Sequence, residues 1–184
     1  DTILIGGAMA FTFLKARNLN IGKSLIEDEY VNLASEIMNK AEDNNVKLVL
    51  PIDVVITRDM DNFDQVEVIQ VESIGDKDIG LDIGPETSML FEKYIFKSKT
   101  VIWNGPLGYF ENPIFSTGTQ SIALSISENT NKEKLSVIGG GDTVTAIDNF
   151  NTNLNFSHVS TGGGSSLELL SGKELPALNE LEDE

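Results

Sequence analysis

Short runs of Ile, Val and Leu are spaced along the chain, and each leads into a polar or glycine-rich turn followed by a helical pattern. Apolar runs that alternate with helices are typical of buried parallel strands joined by crossover helices. The pattern predicts an α/β fold with a mostly parallel sheet and helices on both faces. The predicted strands cover residues 2–5, 47–50, 100–103, 135–138 and 157–160.

Other segments complete this outline. Residues 54–57 and 66–71 flank an acidic loop and predict a small antiparallel hairpin attached to the sheet. The clearest helix begins near Ser24, because Ser24 and Glu27 have the spacing of a capping box and apolar residues follow on one face up to Ala41. Further helices are predicted over residues 8–15, 85–96, 116–127, 143–148 and 165–170. We expect residues 1–178 to form one domain and residues 179–184 a disordered tail.

The net charge of -16 excludes some classes of function. Nucleic-acid binding depends on Lys and Arg that neutralise phosphates, so this class is disfavoured. No stretch approaches the roughly 20 apolar residues needed to cross a bilayer, and we expect no membrane association. The chain has no cysteine, which fits a reducing compartment, and we expect a cytoplasmic protein.

Three weaker motifs carry little weight. Gly22, Lys23 and Ser24 resemble the end of a Walker A loop, but the glycine that the motif requires five positions earlier is Arg17. The aspartates near residue 60 lack the spacing of a calcium loop and are interpreted as a solvated acidic turn. The single histidine, His158, is interpreted as structural.

Two strand ends share a stronger pattern, in which a buried strand runs into consecutive glycines that open a helix. The glycines are Gly139, Gly140 and Gly141 in the first case, and Gly162, Gly163 and Gly164 in the second. Glycines let a phosphate approach the backbone, and the first turn of a helix presents unpaired amides. Such glycines can also serve only to permit a tight turn. Two loops at the same sheet edge favour phosphate binding.

Asp142 follows the first glycine set directly, and beside a phosphate it is well placed to hold magnesium. Its alternative role is a helix cap. Thr143 has the same two alternatives, since its hydroxyl can cap the helix or bond a phosphate oxygen.

Two other strand ends add a surface for a nucleoside. The strand over residues 100–103 continues into an irregular loop with two glycines and a proline, and Glu111 near its end offers an acceptor for ribose hydroxyls. The first strand ends in Gly6, Gly7 and Ala8, where small residues let a flat base lie against the backbone.

Together these segments closely resemble phosphoglycerate kinase, which transfers a phosphoryl group between 1,3-bisphosphoglycerate and ADP in glycolysis. The matching segments occur in family order over nearly the whole chain: residues 6–15, 50–55, 82–87, 103–111, 139–143 and 157–164. The resemblance implies a Rossmann-like three-layer domain with a small antiparallel hairpin. It also implies ADP or ATP as substrate, Mg²⁺ as cofactor and a monomeric parent enzyme.

The resemblance assigns roles to individual positions. The adenosine pocket would be formed by Gly7, Ala8, Gly80, Leu81, Asn104, Pro106, Gly108 and Tyr109, with Glu111 on the ribose. The phosphates would meet Gly140, Gly141, Asp142, Thr143, Gly162 and Gly163, with Asp142 holding the metal. The amides of Gly141 and Gly164 resemble those that stabilise the transferring phosphoryl group. Ala8 and Tyr109 depart from the usual glycine and valine, which slightly reshapes the adenosine pocket.

The resemblance also implies what lies outside this sequence. The family's N-terminal domain, which holds the phosphoglycerate, has no counterpart here, and neither has the first strand of the nucleotide domain with its Gly-Gly-Ala-Lys segment and lysines. We therefore expect a fragment that is inactive alone, binds nucleotide weakly and leaves an exposed sheet edge. Two alternatives are a stand-alone, catalytically dead nucleotide-binding module and a Rossmann-type dehydrogenase; the second is disfavoured because no Gly-x-Gly-x-x-Gly run follows a strand.

Overall fold

The computed structural model describes residues 1–150, 153–160, 162, 164, 167, 168 and 171–173. Helices and strands alternate along the chain, as the apolar pattern predicts. In chain order they are β1 (Thr2–Leu4), α1 (Gly7–Ala16), α2 (Val31–Asp43), β2 (Lys47–Val49), β3 (Asp53–Thr57), β4 (Glu67–Gln70), β5 (Ile79–Ile83), α3 (Pro85–Lys97), β6 (Thr100–Asn104), α4 (Thr117–Asn129), β7 (Leu135–Gly139), α5 (Gly141–Asn149) and β8 (His158–Ser160). The predicted helix over 165–170 and the predicted tail lie largely or wholly outside the described residues.

The five predicted parallel strands all form, in two hydrogen-bonded groups. β1 pairs with β2 in parallel, Thr2 opposite Lys47. β7 lies between β6 and β8 and is parallel to both, so the order is β6-β7-β8. The glycine-rich segments that follow β6, β7 and β8 therefore leave one edge of the sheet together. The α/β prediction is confirmed.

The antiparallel part is larger than predicted. β3 and β4 form the expected hairpin, but β3 also pairs with β5, which gives the order β4-β3-β5. β5 reads Ile-Gly-Leu-Asp-Ile, and its Gly80 and Asp82 break the apolar pattern that marks a strand in the sequence. Both residues are buried, because the ring of Phe11 packs on Gly80 and the N-terminus of α4 meets Asp82.

The predicted helix start at Ser24 is wrong. The α-helix begins at Val31, after one turn of 3₁₀-helix over Asp28–Tyr30. Ser24 is buried, and its hydroxyl accepts a hydrogen bond from the amide of Gly80 at 2.9 Å. The side chain that resembles a helix cap is therefore used to hold β5, a long-range contact that local spacing does not reveal.

Buried hydrophobic side chains form two clusters. One joins α1 and α2 to the antiparallel sheet and includes Phe13, Leu14 and Ile56. The other joins α3 and α4 to β6 and β7 and includes Phe91 and Ile138. Burial of apolar area is the main stabilising contribution of both clusters. They fix the elements whose ends carry the candidate site.

The unpaired strand edges do not lie where the sequence predicts them. We expect an exposed edge at the rim of the sheet, whereas the structure has unpaired edges elsewhere. Within the described chain, β1 pairs only with β2 and β6 pairs only with β7. The free edges of β1 and β6 line one cleft, with side chains of α3 and α4 around it. The gap in hydrogen bonding thus lies between two strands inside the α/β layer.

Candidate functional site

A cavity of about 660 Å³ lies where α1, β5, the loop after β6 and the start of α5 meet. Many of the residues that the sequence analysis singled out line it together, although they come from distant parts of the chain. They are Gly7, Ala8, Gly80, Leu81, Pro106, Gly108, Tyr109, Glu111 and Asp142. Cavities of this size accommodate a small organic ligand, with a few polar groups that orient it.

The apolar end of the cavity depends on close backbone contacts. Gly7 has a φ of +62°, and a Cβ there would lie 2.8 Å from the carbonyl oxygen of Pro106. The loop after β6 therefore packs directly on the first turn of α1. The amide of Tyr109 donates to the carbonyl oxygen of Leu81 at 2.7 Å, which ties the same loop to β5. These contacts hold two walls of the cavity at a fixed separation.

Asp82 lies behind this loop and was not predicted as a site residue. Its side chain is buried; Oδ2 accepts a hydrogen bond from the amide of Gly118 at 2.7 Å, and Oδ1 accepts one from the amide of Ile83 at 2.9 Å. A Cβ on either Gly108 or Gly118 would overlap the carboxyl group. Burial raises the pKa of Asp82 to about 7, although the two amides act in the opposite direction. The carboxyl joins the cavity loop to α4.

The polar end of the cavity is the N-terminus of α5. Gly140 has a φ of +96°, and a Cβ there would lie 2.5 Å from Oδ1 of Asn104. Gly141, the first helical residue, has open space where a side chain would begin. Asp142 lies in the first turn, is exposed and lines the cavity. Of the described residues of α5, Asp142 alone lines the cavity, and neither Gly140 nor Gly141 does. The helix thus brings one carboxylate to the cavity wall, next to the unpaired amides of its first turn.

Thr143 lies on the inner side of α5. It is fully buried, and its Oγ1 accepts a hydrogen bond from the amide of Gly105 at 2.7 Å. Gly105 has a φ of +94°, a backbone conformation that favours glycine. Thr143 therefore connects α5 to the loop after β6; it does not line the cavity, and neither does Asn104.

The second glycine set is described in part. Gly162 and Gly164 are exposed and do not line the cavity, and the amide of Gly162 donates to Oγ of Ser160 at 3.2 Å. A Cβ on Gly164 would meet open space. Gly163 lies outside the described residues.

Lys23 is a site residue that sequence reasoning missed, and it is the single basic side chain among the described residues that line the cavity. Its amide donates to the carbonyl oxygen of Asp78 at 2.8 Å. The preceding Gly22 has a φ of +58°, and a Cβ there would overlap the same carbonyl. As a motif the Gly-Lys pair carries little weight, because it lacks the remainder of a Walker A loop. The sequence does carry one signal for Lys23: it is a lysine directly after a glycine in a chain whose net charge is -16.

No group of three or more His, Cys, Asp or Glu side chains among the described residues could hold a metal ion by itself. Asp142 is thus a single carboxylate where the cavity meets the first turn of α5. Magnesium is commonly held through one or two carboxylates, water and substrate phosphates, so the residues fit that ion when a phosphate is present. Of the helices described, none has the length and apolar character to span a membrane.

Comparisons with known proteins agree on one family. The sequence profile of the family described as phosphoglycerate kinase matches residues 1–173. The chain is 48% identical over 178 residues to the phosphoglycerate kinase of Chloroherpeton thalassium, a match that covers 97% of this chain and 45% of the relative. It is 46% identical over 183 residues to that of Dictyoglomus turgidum, covering 100% of this chain and 46% of the relative.

Solved structures give the same result. The phosphoglycerate kinase structure from Coxiella burnetii matches with a TM-score of 0.91 and 40% identity, over 97% of this chain and 45% of that one. The Pyrococcus horikoshii enzyme matches with a TM-score of 0.82 and 26% identity, over 97% and 44%. The chain thus spans less than half the length of these proteins. With its α/β fold and the cavity at the glycine-bearing strand ends, the chain belongs to the phosphoglycerate kinase family.

Proposed function

We propose that the cavity binds an adenine nucleotide with magnesium and is the nucleotide site of an enzyme that transfers a phosphoryl group between 1,3-bisphosphoglycerate and ADP. The observation that supports this best is the arrangement of apolar and charged residues along the lining of one cavity. A small apolar surface built by α1, β5 and the loop after β6 continues directly to Asp142 at the N-terminus of α5. A flat base followed by phosphates has the same order of apolar and anionic parts.

The apolar end suits the base and the ribose. Gly7, Ala8, Gly80 and Leu81 offer a surface with little side-chain volume, and Pro106 lies opposite Gly7. An adenine ring placed there replaces water on both of its faces with apolar contact, which favours binding. Glu111 is exposed and lines the cavity. In the proposed complex its carboxylate accepts hydrogen bonds from the ribose hydroxyls.

The N-terminus of α5 suits the phosphates. Its first amides lack partners within the helix and carry a partial positive charge, and the open space at Gly141 leaves the backbone accessible there. Asp142 would hold the magnesium ion, which neutralises phosphate charge when bound. Lys23 supplies a further positive charge to a chain that is strongly acidic overall.

The amides of Gly141 and Gly164 are the groups we assign to the transferring phosphoryl group. Phosphoryl transfer depends on positioning and on stabilising charge at the equatorial oxygens, and backbone amides do both without a proton transfer. The phosphoglycerate site belongs, in this proposal, to the part of the relatives that this chain does not span. The 184 residues alone are then expected to bind nucleotide weakly and to be inactive.

Calorimetry with Mg-ADP tests the site. Ala8 lines the cavity on the first turn of α1, and Met9 beside it is 60% exposed outside the cavity, so the variants Ala8→Trp and Met9→Trp form a matched pair. We expect a saturable signal at millimolar nucleotide that Ala8→Trp removes and Met9→Trp preserves. Absence of any heat with the folded wild-type chain, or equal binding by both variants, would contradict the proposal.

A further inference from the structure

Lys23 lines the nucleotide cavity, and its place on the cavity wall is set by the start of β5. The Lys23 amide donates to the carbonyl oxygen of Asp78 at 2.8 Å, and Asp78 directly precedes β5. The hydroxyl of the next residue, Ser24, accepts from the amide of Gly80 at 2.9 Å. Lys23 is exposed, but its backbone is therefore held at one point of the wall.

This point lies away from the part of the cavity proposed for the ribose. The carbonyl oxygen of Leu81 accepts from the amide of Tyr109 at 2.7 Å, which anchors the loop that leads to Glu111. The carbonyl that holds Lys23 belongs to Asp78, three residues earlier, which is up to about 10 Å away along an extended chain. Lys23 therefore lies beyond the surface proposed for the base, on the side opposite the ribose.

The ammonium of Lys23 is available to a ligand. Of the residues that the structure describes, none forms an ion pair with it. Asp78 holds the Lys23 amide, but its own carboxylate accepts from Nε of Arg58 at 2.7 Å and from the amide of Gly75 at 2.8 Å. The three donors of the ammonium are thus left for a bound nucleotide.

A lysine at this point distinguishes purines by the group at their 6-position. The ribose is attached at N9, so the 6-position lies at the opposite end of the ring system. Guanine and hypoxanthine have an acceptor oxygen there, whereas adenine has an amino group that donates. An ammonium has donors and no acceptor, so it bonds the oxygen and opposes the amino group.

We propose that Lys23 is a specificity-determining residue of the nucleotide site, which favours nucleoside diphosphates whose purine carries a 6-oxo group. The inference rests on the proposed nucleotide site and adds the 6-substituent of the base to it. Adenine nucleotides remain ligands, because the apolar surface and the first turn of α5 serve every purine alike.

A lysine that acts on the phosphates has a different signature. It strengthens the binding of every nucleoside diphosphate by the same factor, whereas a donor at the 6-position affects the bases unequally. Inosine diphosphate (IDP) and ADP share their ribose and phosphates and differ at the 6-position. The ratio of their affinities therefore isolates the contact with the base.

Calorimetry with Mg-IDP and Mg-ADP on the 184-residue chain tests the assignment. In the wild type we expect IDP to bind more tightly than ADP. Lys23→Met should weaken IDP binding about tenfold and ADP binding less than about threefold, because a charge-assisted hydrogen bond is lost only with IDP. Lys23→Arg keeps a cationic donor and should retain the preference for IDP.

Lys77→Met is the matched control. Lys77 is also exposed and adjoins Asp78, but it does not line the cavity, so both affinities should stay unchanged. If both nucleotides bind and Lys23→Met changes their affinities by the same factor, or changes neither, this inference fails while the nucleotide site stands. A wild-type preference for ADP overturns it without any variant. If neither nucleotide gives a saturable signal with the folded wild-type chain, the proposed function fails as well.

Discussion

The hydroxyl oxygen of Thr143 accepts a hydrogen bond from the backbone amide of Gly105 at 2.7 Å. This bond joins the first turn of α5, which carries Asp142, to the loop that closes the apolar end of the cavity. Thr143 is fully buried, and its hydroxyl oxygen is hydrogen-bonded to the loop. The two ends of the proposed nucleotide site are thus connected through one side chain.

Replacement of Thr143 by valine is predicted to weaken nucleotide binding through the loop. Valine keeps the shape but leaves the Gly105 amide without its partner, at a cost of about 1–3 kcal/mol in the free energy of unfolding. In the proposed complex the loop contacts the nucleoside, so the affinities for adenosine and for ADP should fall by a similar factor in calorimetry. Thr143→Ser, which retains the hydroxyl, is the control. A loss confined to ADP would instead indicate direct contact with a phosphate.

Asp142 is predicted to determine the magnesium dependence of binding. In Asp142→Asn we expect ADP affinity to become nearly the same with and without magnesium, with Mg-ADP affinity reduced about tenfold, equivalent to ~1.4 kcal/mol. Asp148→Asn is the matched control, because Asp148 is also exposed on α5 but lies near the end of the helix. Retained magnesium dependence in Asp142→Asn would show that another group holds the ion.

Asp82 is predicted to make stability fall as pH rises. Its carboxyl pKa is about 7 in the folded chain because burial disfavours the charge, against an ordinary value of 3.8. Between those two values the folded state retains a proton that the unfolded state has released. The free energy of unfolding therefore decreases with pH, on the order of 1 kcal/mol per unit, and levels off above about pH 7.

The measurement compares urea unfolding of the wild type and Asp82→Asn from pH 4 to pH 8. Asparagine cannot ionise, so the stability of the wild type relative to the variant should decline across this range and then become constant. A difference between the two proteins that is independent of pH would show that the carboxyl does not titrate there.

Asp53 is predicted to be a principal stabilising residue of α3. Its Oδ1 accepts hydrogen bonds from the amide and hydroxyl of Thr87 at 2.7 and 2.6 Å, and its Oδ2 accepts one from the amide of Glu86 at 3.0 Å. A carboxylate in β3 thus caps the N-terminus of a helix distant in sequence. Asp53→Asn should lower the free energy of unfolding by about 2–3 kcal/mol, since an amide donor would replace an acceptor. Asp61→Asn, at an exposed loop position, should change it by less than about 0.5 kcal/mol in the same urea titration.

Part of the candidate site can be predicted from the sequence, namely the residues whose role depends on a local motif. Gly7, Gly140 and Asp142 were singled out because glycines at a strand end and an acid at a helix start have a meaning that depends on neighbours in sequence. Asp82 and Lys23 were not, since a buried carboxyl that receives an amide from α4 and a lysine behind an incomplete Walker A motif acquire their positions only through distant contacts.

By itself the sequence determined the succession of elements, because the periods of apolar residues and the glycines at strand ends are local properties of the chain. It determined the five parallel strands and the β3–β4 hairpin, and its motifs identified the family. Only the tertiary structure decided that Ser24 holds β5, that Thr143 holds the loop at Gly105, and that the free edges of β1 and β6 face one cleft. Hydrogen-bonding groups and strand edges are paired by residues far apart in sequence, so their partners emerge only when the chain is folded.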